Sequence, residues 1–185
     1  FEAVYFDDDV FNIDRNYTLS ICEEIMSRNI ETPWACMARA DLMDEGLLKA
    51  VREAGLCAVK YGIESADREI LRYCKKDMDL DKAEYIINYT KKIGIRVHLT
   101  FCIGLPGETK MSVAKTMEFI KDMNPDSYQV SFATPFPGTE LYNYLKENGM
   151  LASSNWSDYD GNCQCIINTR KLSRNELEKA RSDFL

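Results

Sequence analysis

Short runs of alternating apolar residues recur along this chain, and longer stretches with helical spacing separate them. The alternation predicts strands over residues 3–6, 33–38, 56–63, 95–103 and 127–134. Apolar residues three and four positions apart predict a helix after each strand. The predicted buried stripe of the first helix consists of Leu19, Cys22, Ile25 and Met26. Strands that alternate with helices favour a parallel sheet, either doubly wound or part of a barrel.

Residues 151–185 break this rhythm with a loop rich in serine, asparagine and aspartate. We therefore predict a β/α domain over residues 1–150 and a C-terminal extension over 151–185, with a short strand near 165–168. Two capping boxes are expected. Asp81 with Glu84 would begin the third helix, and Ser173 with Glu176 would begin the helix of the extension.

One face of each predicted strand is unusually polar. The fourth strand alternates Val97, Leu99, Phe101 and Ile103 with Arg96, His98, Thr100 and Cys102. The third alternates Cys57, Val59, Tyr61 and Ile63 with Ala58, Lys60, Gly62 and Glu64. A closed eight-stranded barrel fills its interior with branched aliphatic side chains, and a doubly wound sheet buries both faces. The pattern therefore favours an α/β fold of the partial-barrel type, open and lined with polar groups.

Composition excludes several classes of protein. The chain has 185 residues, 45% of them hydrophobic, which is enough for one well-cored domain. Its formal net charge of −7 argues against a general nucleic-acid surface. No apolar run approaches the roughly 18 residues of a membrane span. The seven cysteines follow no disulfide-scaffold spacing, so we expect a reducing, cytoplasmic location.

Polar residues follow four of the predicted strands, where α/β folds place their sites. They are Asp7-Asp8-Asp9, Arg39, Glu64-Ser65 and the turn Gly104-Leu-Pro-Gly-Glu108. Glycine in that turn lets the backbone approach a ligand closely. Structural alternatives exist for the other three. The aspartates suit a solvated turn, Arg39 could pair with Asp41 or Asp7, and Ser65 could cap the following turn.

Other reactive side chains carry weaker signals. His98, the only histidine, shares the polar strand face with Lys60 and Cys102, and no acid, base or radical role can be assigned to any of them. The pair Cys163-x-Cys165 lacks the further ligands that a metal site requires.

Five motifs in order resemble the radical S-adenosylmethionine (SAM) superfamily, over residues 1 to about 150. They are Phe6-Asp-Asp-Asp9, Trp34-x-Cys36-x-x-Arg39-x-Asp41, Gly62-Ile-Glu-Ser65, Gly104-Leu-Pro-Gly-Glu-Thr109 and Thr134-Pro-Phe-Pro-Gly-Thr139. The sequence is most similar to the subgroup often associated with a cobalamin-binding domain, including anaerobic magnesium-protoporphyrin ester cyclases. The resemblance implies a partial (β/α)6 TIM-like barrel, present here from its second strand onward.

The resemblance also implies positions around SAM. Asp7 and Asp8 would lie beside its methionine moiety, and Arg39 would bind its carboxylate. Glu64 and Ser65 would face the ribose.

The same resemblance implies that residues at two strand ends line the adenine. Ile103, Gly104 and Pro106 lie at the end of the fourth predicted strand, and Thr134 and Pro135 lie at the end of the fifth.

Enzymes of this superfamily hold a 4Fe-4S cluster on Cys-x3-Cys-x2-Cys, and this chain has no such triplet. We therefore expect the chain to be an inactive fragment whose parent holds the cluster elsewhere. The parent would cleave SAM reductively and abstract hydrogen from a small organic substrate. A reductant such as flavodoxin or ferredoxin, and cobalamin on an upstream domain, are the further partners implied.

Two alternatives and one consequence remain open. A metal-dependent lyase or hydrolase would use Asp7, Asp9 and Glu64 as oxygen ligands. A non-catalytic binding scaffold would need no cofactor. In a fragment without its first strand, residues 3–6 form an exposed sheet edge, which favours dimerisation.

Overall fold

The computed structural model describes residues 2–184. The strands are β1 (Val4–Phe6), β2 (Trp34–Ala38), β3 (Leu56–Glu64), β4 (Arg96–Ile103) and β5 (Ser127–Phe132). The α-helices are α1 (Arg15–Ser27), α2 (Glu45–Glu53), α3 (Arg68–Tyr73), α4 (Leu80–Lys92), α5 (Lys110–Met123), α6 (Glu140–Glu147) and α7 (Arg174–Phe184). The strands form one sheet in the order β1-β2-β3-β4-β5, and β1 pairs in parallel with β2, as β2 does with β3. The predicted α/β fold with an unclosed sheet is confirmed.

The five strands predicted within residues 1–150 all occur, with ends that differ by at most two residues, whereas the short strand predicted near 165–168 is only an isolated bridge at Ile167. Helix α3 was not predicted, because its six residues are too short to show a helical period. Asp67 caps it, with Oδ1 accepting from the N–H groups of Glu69 and Ile70.

The predicted N-cap is wrong for one helix and correct for another. The prediction that Asp81 begins α4 is wrong, since Asp79 is the N-cap and accepts from the N–H groups of Asp81 and Lys82, both at 3.1 Å. The box at α7 is confirmed. Glu176 Oε2 accepts from the Ser173 N–H at 2.9 Å, and Ser173 Oγ accepts from the Glu176 N–H at 3.3 Å.

The predicted stripe of α1 is only partly correct. Thr18 and Cys22 are buried, whereas Met26 is 42% exposed. Thr18 is satisfied inside the fold because its hydroxyl donates to the carbonyl oxygen of Asp14 at 2.9 Å. A hydroxyl that bonds its own helix can be buried, so the buried face of α1 includes Thr18, which hydrophobicity alone does not predict.

Strand alternation follows the prediction closely. The apolar set of β4, comprising Val97, Leu99, Phe101 and Ile103, is at most 1% exposed, and the intervening residues are half-buried or exposed. In β3 the prediction fails at one position. The register shifts between Trp34 and Ala35 of β2, so Leu56 is buried and Cys57 is half-buried.

The chain divides into two compact units. Unit 1 consists of Phe1–Ile63, Met78–Thr100 and Asp122–Gln129. Its core includes Phe11 and Trp34, and the half-buried ring of Phe6 packs against both, with all three ring centroids 5.0–5.3 Å apart. The indole N–H of Trp34 donates to the carbonyl oxygen of Ala54 at 2.7 Å, so its buried polar atom is satisfied.

Unit 2 consists of Glu64–Asp77, Phe101–Lys121 and Val130–Leu185. An isolated antiparallel bridge joins Leu151 to Ile167, and Ile167 and Leu177 are fully buried. Residues 151–184 thus pack within this unit. The predicted domain boundary at residue 150 stays a prediction.

Two surface features concern partners. None of the helices in residues 2–184 is long and apolar enough to cross a membrane. At the sheet edge, Val4 and Tyr5 of β1 are 44% and 46% exposed. Dimerisation through this edge stays a prediction.

Candidate functional site

The glycine-rich turn that follows β4 is closed by its own residues. The N–H of Glu108 donates to the carbonyl oxygen of Leu105 over 3.1 Å, and Gly107 has a φ of +84°. Pro106 at the second position and a glycine with positive φ at the third are typical of a type II turn. Gly104 lies just before the turn, with a φ of +85°. Glycine at these two positions holds the backbone in a conformation that other residues rarely adopt.

Gly104 is also packed against the C-terminal segment of unit 2. A Cβ added there would lie 3.0 Å from Cδ1 of Ile167 and 3.5 Å from Cδ1 of Leu177. The segment that follows residue 150 therefore supports the turn from behind.

A buried carboxylate completes the turn. Glu108 is 1% exposed, and its Oε2 accepts from the N–H of Gly104 at 2.5 Å. Burial raises the pKa of Glu108 to about 7, against the lowering effect of the Gly104 and Leu105 N–H groups. The residue thus satisfies backbone donors that would otherwise be buried without a partner.

Glu64 ends β3 in an unusual backbone conformation. Its φ is +68°, in the left-handed region that costs a residue with a side chain about 1 kcal/mol or more. The carboxylate is half-buried, and its Oε1 accepts from Nζ of Lys76 at 2.9 Å. The side chain at the end of β3 is thus held in a backbone conformation that costs free energy.

The other predicted residues of unit 2 are more deeply placed. Ser65 is fully buried, and its Oγ accepts from the N–H of Asp67 at 3.2 Å, which is the turn-capping alternative. Ile103 is buried, with its carbonyl oxygen accepting from the Ala133 N–H at 2.8 Å. Pro135 is buried, whereas Thr134 is half-buried and donates to the carbonyl oxygen of Phe132 at 3.2 Å.

Three predicted residues belong to unit 1. Asp7 and Asp8 follow β1 and are exposed. Arg39 forms a two-pronged ion pair with Asp41, with Nε–Oδ1 and Nη2–Oδ2 distances of 3.0 Å and 2.6 Å. This is the structural pairing that the sequence left open. A ligand carboxylate would compete with Asp41 for the guanidinium fork.

The remaining polar-face candidates are held in protein contacts. His98 in unit 1 shares a hydrogen bond of 2.8 Å between Nδ1 and Oγ of Ser127. Burial, followed by the charge of Lys60, lowers the pKa of His98, so the imidazole is neutral at pH 7. In unit 2, burial raises the pKa of the Cys102 thiol, so it is protonated.

No group of three or more His, Cys, Asp or Glu side chains within residues 2–184 is arranged to hold a metal ion. The set Asp7, Asp9 and Glu64 therefore has no support as an oxygen-ligand site. The donors present do not fit a 4Fe-4S cluster either, since such a cluster needs several thiolates together.

A cleft of about 710 Å³ opens beside the glycine-rich turn, and every residue that lines it belongs to unit 2. One wall is the turn itself, including Leu105 and Pro106, and another is α6, including Leu141 and Tyr144. The short segment Thr169–Lys171 forms part of the lining. We call this cavity the unit 2 cleft.

The sequence did not indicate several residues of this region. In the sequence, Glu108 stands out only as part of the glycine motif. No pattern marks Lys76, which pairs with Glu64, or Arg170 and Lys171, which line the cleft. Only the motif position of Glu108 carried a signal. The other three reach the region through the tertiary fold.

Comparison with known proteins agrees with this architecture. The profile of the Radical SAM superfamily matches residues 11–120. A methyltransferase of Pyrococcus horikoshii, itself uncharacterized, is 32% identical over 158 residues, covering 85% of this chain and 34% of that protein. The anaerobic magnesium-protoporphyrin IX monomethyl ester cyclase of Rubrivivax gelatinosus is 31% identical over 135 residues, covering 72% of this chain and 24% of that protein. The chain therefore spans about a third of these curated relatives, or less.

Solved structures show the same fold. TsrM from Kitasatospora setae, a radical SAM methyltransferase with cobalamin and a 4Fe-4S cluster bound, has a TM-score of 0.70 and 18% identity, covering 78% of this chain and 30% of that one. Coproporphyrinogen III oxidase (HemN) from Escherichia coli, a radical SAM enzyme, has a TM-score of 0.60 and 18% identity, covering 68% and 30%. The predicted family resemblance is confirmed. Because the profile matches more than half of its residues, the chain belongs to the radical SAM superfamily.

Proposed function

We propose that this chain binds SAM as part of a radical SAM enzyme that acts on a small organic substrate. The observation that carries the proposal is the conformation of Glu64. A carboxylate is kept at a strained position at the end of β3, in the same unit as the glycine-rich turn that ends β4. Ionised carboxylates accept hydrogen bonds from paired hydroxyls, so a ribose is a suitable ligand for Glu64.

The adenine side of SAM is assigned to the backbone at the end of β4. Ile103 and Gly104 are buried, and Ile167 and Leu177 pack where a Cβ of Gly104 would lie, so the adenine contact is assigned to main-chain atoms on the other side. Pro106 and Thr134 are half-buried and offer an apolar edge and a hydroxyl. The family resemblance implies this adenine contact, and the buried main chain at the end of β4 supports it.

For unit 1 we propose a role toward the methionine moiety. Arg39 carries the guanidinium that a carboxylate would share with Asp41, and Asp7 and Asp8 place acidic groups at the end of β1 for an ammonium. These roles come from the family resemblance, and charge complementarity supports them.

A 4Fe-4S cluster held elsewhere in the whole protein would supply the electron for reductive cleavage of SAM. The donors in residues 2–184 do not fit that cluster, so we assign its ligands to protein outside this chain. We assign no step of the reduction to this chain. What its residues contribute is binding, orientation and exclusion of water.

The activity of the whole protein is also a proposal. We infer that it abstracts hydrogen from its substrate, takes electrons from a flavodoxin or ferredoxin and, in common with TsrM, binds cobalamin. Formation of 5′-deoxyadenosine from SAM under anaerobic reduction of the whole protein would support this proposal. If the reduced protein, reconstituted with iron and sulfide, yields none with or without cobalamin, the proposal is wrong.

The role of Glu64 is tested by SAM binding to the chain itself. We expect the Glu64→Gln variant to bind SAM about tenfold more weakly, because an amide replaces a charged acceptor of the ribose hydroxyls. Isothermal titration calorimetry with SAM measures this change, and 5′-deoxyadenosine should compete for the site.

Glu69→Gln is the matched control. Glu69 is in the same unit, is exposed and pairs with Arg72, so this variant removes a similar charge away from the strand end. It should bind SAM as the unaltered chain does. Equal affinities for the two variants, or no saturable SAM binding to the unaltered chain, would rule out the assignment.

A further inference from the structure

The unit 2 cleft has a charge balance opposite to that of the chain. Three cationic side chains, Lys75, Arg170 and Lys171, line it together with two acidic ones, Glu108 and Glu140. The chain as a whole has a formal net charge of −7. A cleft with locally positive charge in an acidic protein concentrates anionic ligands.

Both acidic side chains of the cleft are already engaged. Glu140 forms an ion pair with Lys75, with 2.7 Å between Oε2 and Nζ. Glu108 is buried and accepts from the Gly104 N–H. Neither carboxylate is therefore available to neutralise the remaining two cations.

Arg170 and Lys171 have no carboxylate partner within residues 2–184, and both side chains are exposed. Instead, the guanidinium of Arg170 lies over the ring of Tyr144, at 5.6 Å from its centroid. This contact orients a cation along the wall of the cleft and leaves its charge uncompensated.

The turn that carries these cations is held by hydrogen bonds. Thr169 Oγ1 accepts from the N–H of Leu172 at 2.9 Å and from that of Lys171 at 3.3 Å. The N–H of Thr169 donates to the carbonyl oxygen of Leu172 at 2.8 Å, and Leu172 is buried. The two cations are thus presented by an anchored turn, which lowers the entropy lost on binding.

The remaining lining is mostly apolar and is supplied by Leu105, Pro106, Leu141, Tyr144 and Leu145. The volume of about 710 Å³ is in the range of small-molecule sites. Such a wall suits a hydrocarbon or aromatic body of one ligand molecule.

We propose that the unit 2 cleft binds a small organic anion, a carboxylate or phosphate on an apolar body, with Arg170 and Lys171 contacting the anionic group. This site goes beyond the proposed SAM-binding role. Gly104 and Pro106, which we assign to the adenine of SAM, also line the cleft, so the test includes competition by SAM. The site requires neither the iron–sulfur cluster nor a radical.

Three naphthalene probes test the proposal. They share one apolar body: 2-naphthoate and 2-naphthyl phosphate carry an anion, and 2-naphthylmethanol is neutral. We expect both anions to bind the chain with one site, more tightly than the alcohol. In the Arg170→Gln/Lys171→Gln double variant, affinity for the anions should fall roughly five- to tenfold, as expected for two exposed charge pairs, and affinity for the alcohol should not change. Comparing the two anions shows which anionic group the cleft prefers.

Lys121→Gln/Lys179→Gln is the matched control. It removes the same charge from exposed positions of unit 2 that do not line the cleft, and it should bind all three probes unchanged. Thr169→Ala keeps both charges but removes the side-chain acceptor that anchors the turn, and a two- to threefold loss for the anions only is expected. Circular dichroism verifies that each variant is folded.

Several results would overturn the proposal. They are equal affinity for anion and alcohol, an equal loss in the two double variants, and displacement of bound 2-naphthoate by SAM. The last result would assign the cleft to SAM and would leave the proposed function standing. Failure of SAM to bind anywhere, with anion binding intact, would instead contradict the proposed function alone.

Discussion

Replacing Glu108 by alanine should lower the free energy of unfolding by about 3 kcal/mol at pH 5. The buried N–H of Gly104 loses its acceptor, and the space filled by the side chain is left empty. An unpaired buried donor costs about 1–3 kcal/mol, and the lost packing adds to it. Urea unfolding followed by circular dichroism measures the change.

Glu108→Gln separates the hydrogen bond from the charge, because its amide oxygen can still accept from Gly104. We expect the free energy of unfolding of this variant to fall by less than about 1 kcal/mol at pH 5. If the alanine and glutamine variants lose the same amount, the hydrogen bond to Gly104 does not hold the turn.

The same residue makes stability depend on pH. Burial raises the pKa of Glu108 from 4.5 to about 7 in the folded protein. The folded state therefore holds a proton that the unfolded chain releases near pH 4.5. Its stabilising contribution is complete below about pH 4.5 and is lost as the pH rises to about 7, by up to about 1.4 kcal/mol per pH unit. The free energy of unfolding should be measured from pH 4 to pH 8 for the unaltered chain and for Glu108→Gln. The two values should be similar near pH 4.5 and differ increasingly toward pH 7, and the variant should be the more stable protein at pH 8. A difference in the free energy of unfolding that stays constant with pH would contradict this.

Replacing Gly104 by alanine should also lower the free energy of unfolding by about 3 kcal/mol. A positive φ costs a residue with a Cβ about 1–2 kcal/mol, and the new methyl group lies 3.0 Å from Cδ1 of Ile167. Thermal or urea unfolding measures the total.

Gly138→Ala is the matched control for the backbone contribution. Its φ of +87° is nearly that of Gly104, at +85°, and nothing lies within 4 Å of an added Cβ. We expect a loss of about 1 kcal/mol there. Ile167→Val removes the contacting Cδ1. Combined with Gly104→Ala, it should restore about 1 kcal/mol of the free energy of unfolding, once the effect of Ile167→Val in the unaltered chain is subtracted. An equal fall in the free energy of unfolding for the two variants would show that contact with the C-terminal segment does not restrict the residue at position 104.

Local rules explain why much of the fold was predictable. Apolar alternation located the five strands, and the motif Leu105-Pro-Gly-Glu108 carried the residues that a type II turn requires. Predictions failed where a side-chain hydrogen bond to the main chain decided the outcome. Thr18 is buried in α1 because its hydroxyl bonds the helix, and Asp79 displaced Asp81 as the cap of α4 because its side chain reaches two N–H groups.

The positions of the candidate site residues were predictable, but their partners only in part. The pairing of Arg39 with Asp41 and the turn cap at Ser65 are alternatives that the sequence left open. The ion pair of Glu64 with Lys76 was not predicted. Pairing depends on the rotamer and the exact loop path of each side chain, and neither leaves a periodic signal.

The amino-acid sequence by itself determined the strand positions, the glycine-rich turn and the family, because each depends on residues near one another in the chain. Only the tertiary structure decided that Ile167 packs behind Gly104 and that Arg170 lies over Tyr144 beside the same turn. Contacts between segments so far apart arise from the burial of apolar surface by the whole unit. That driving force has no direction, so the partner of a given side chain is set by the shape of the packed core.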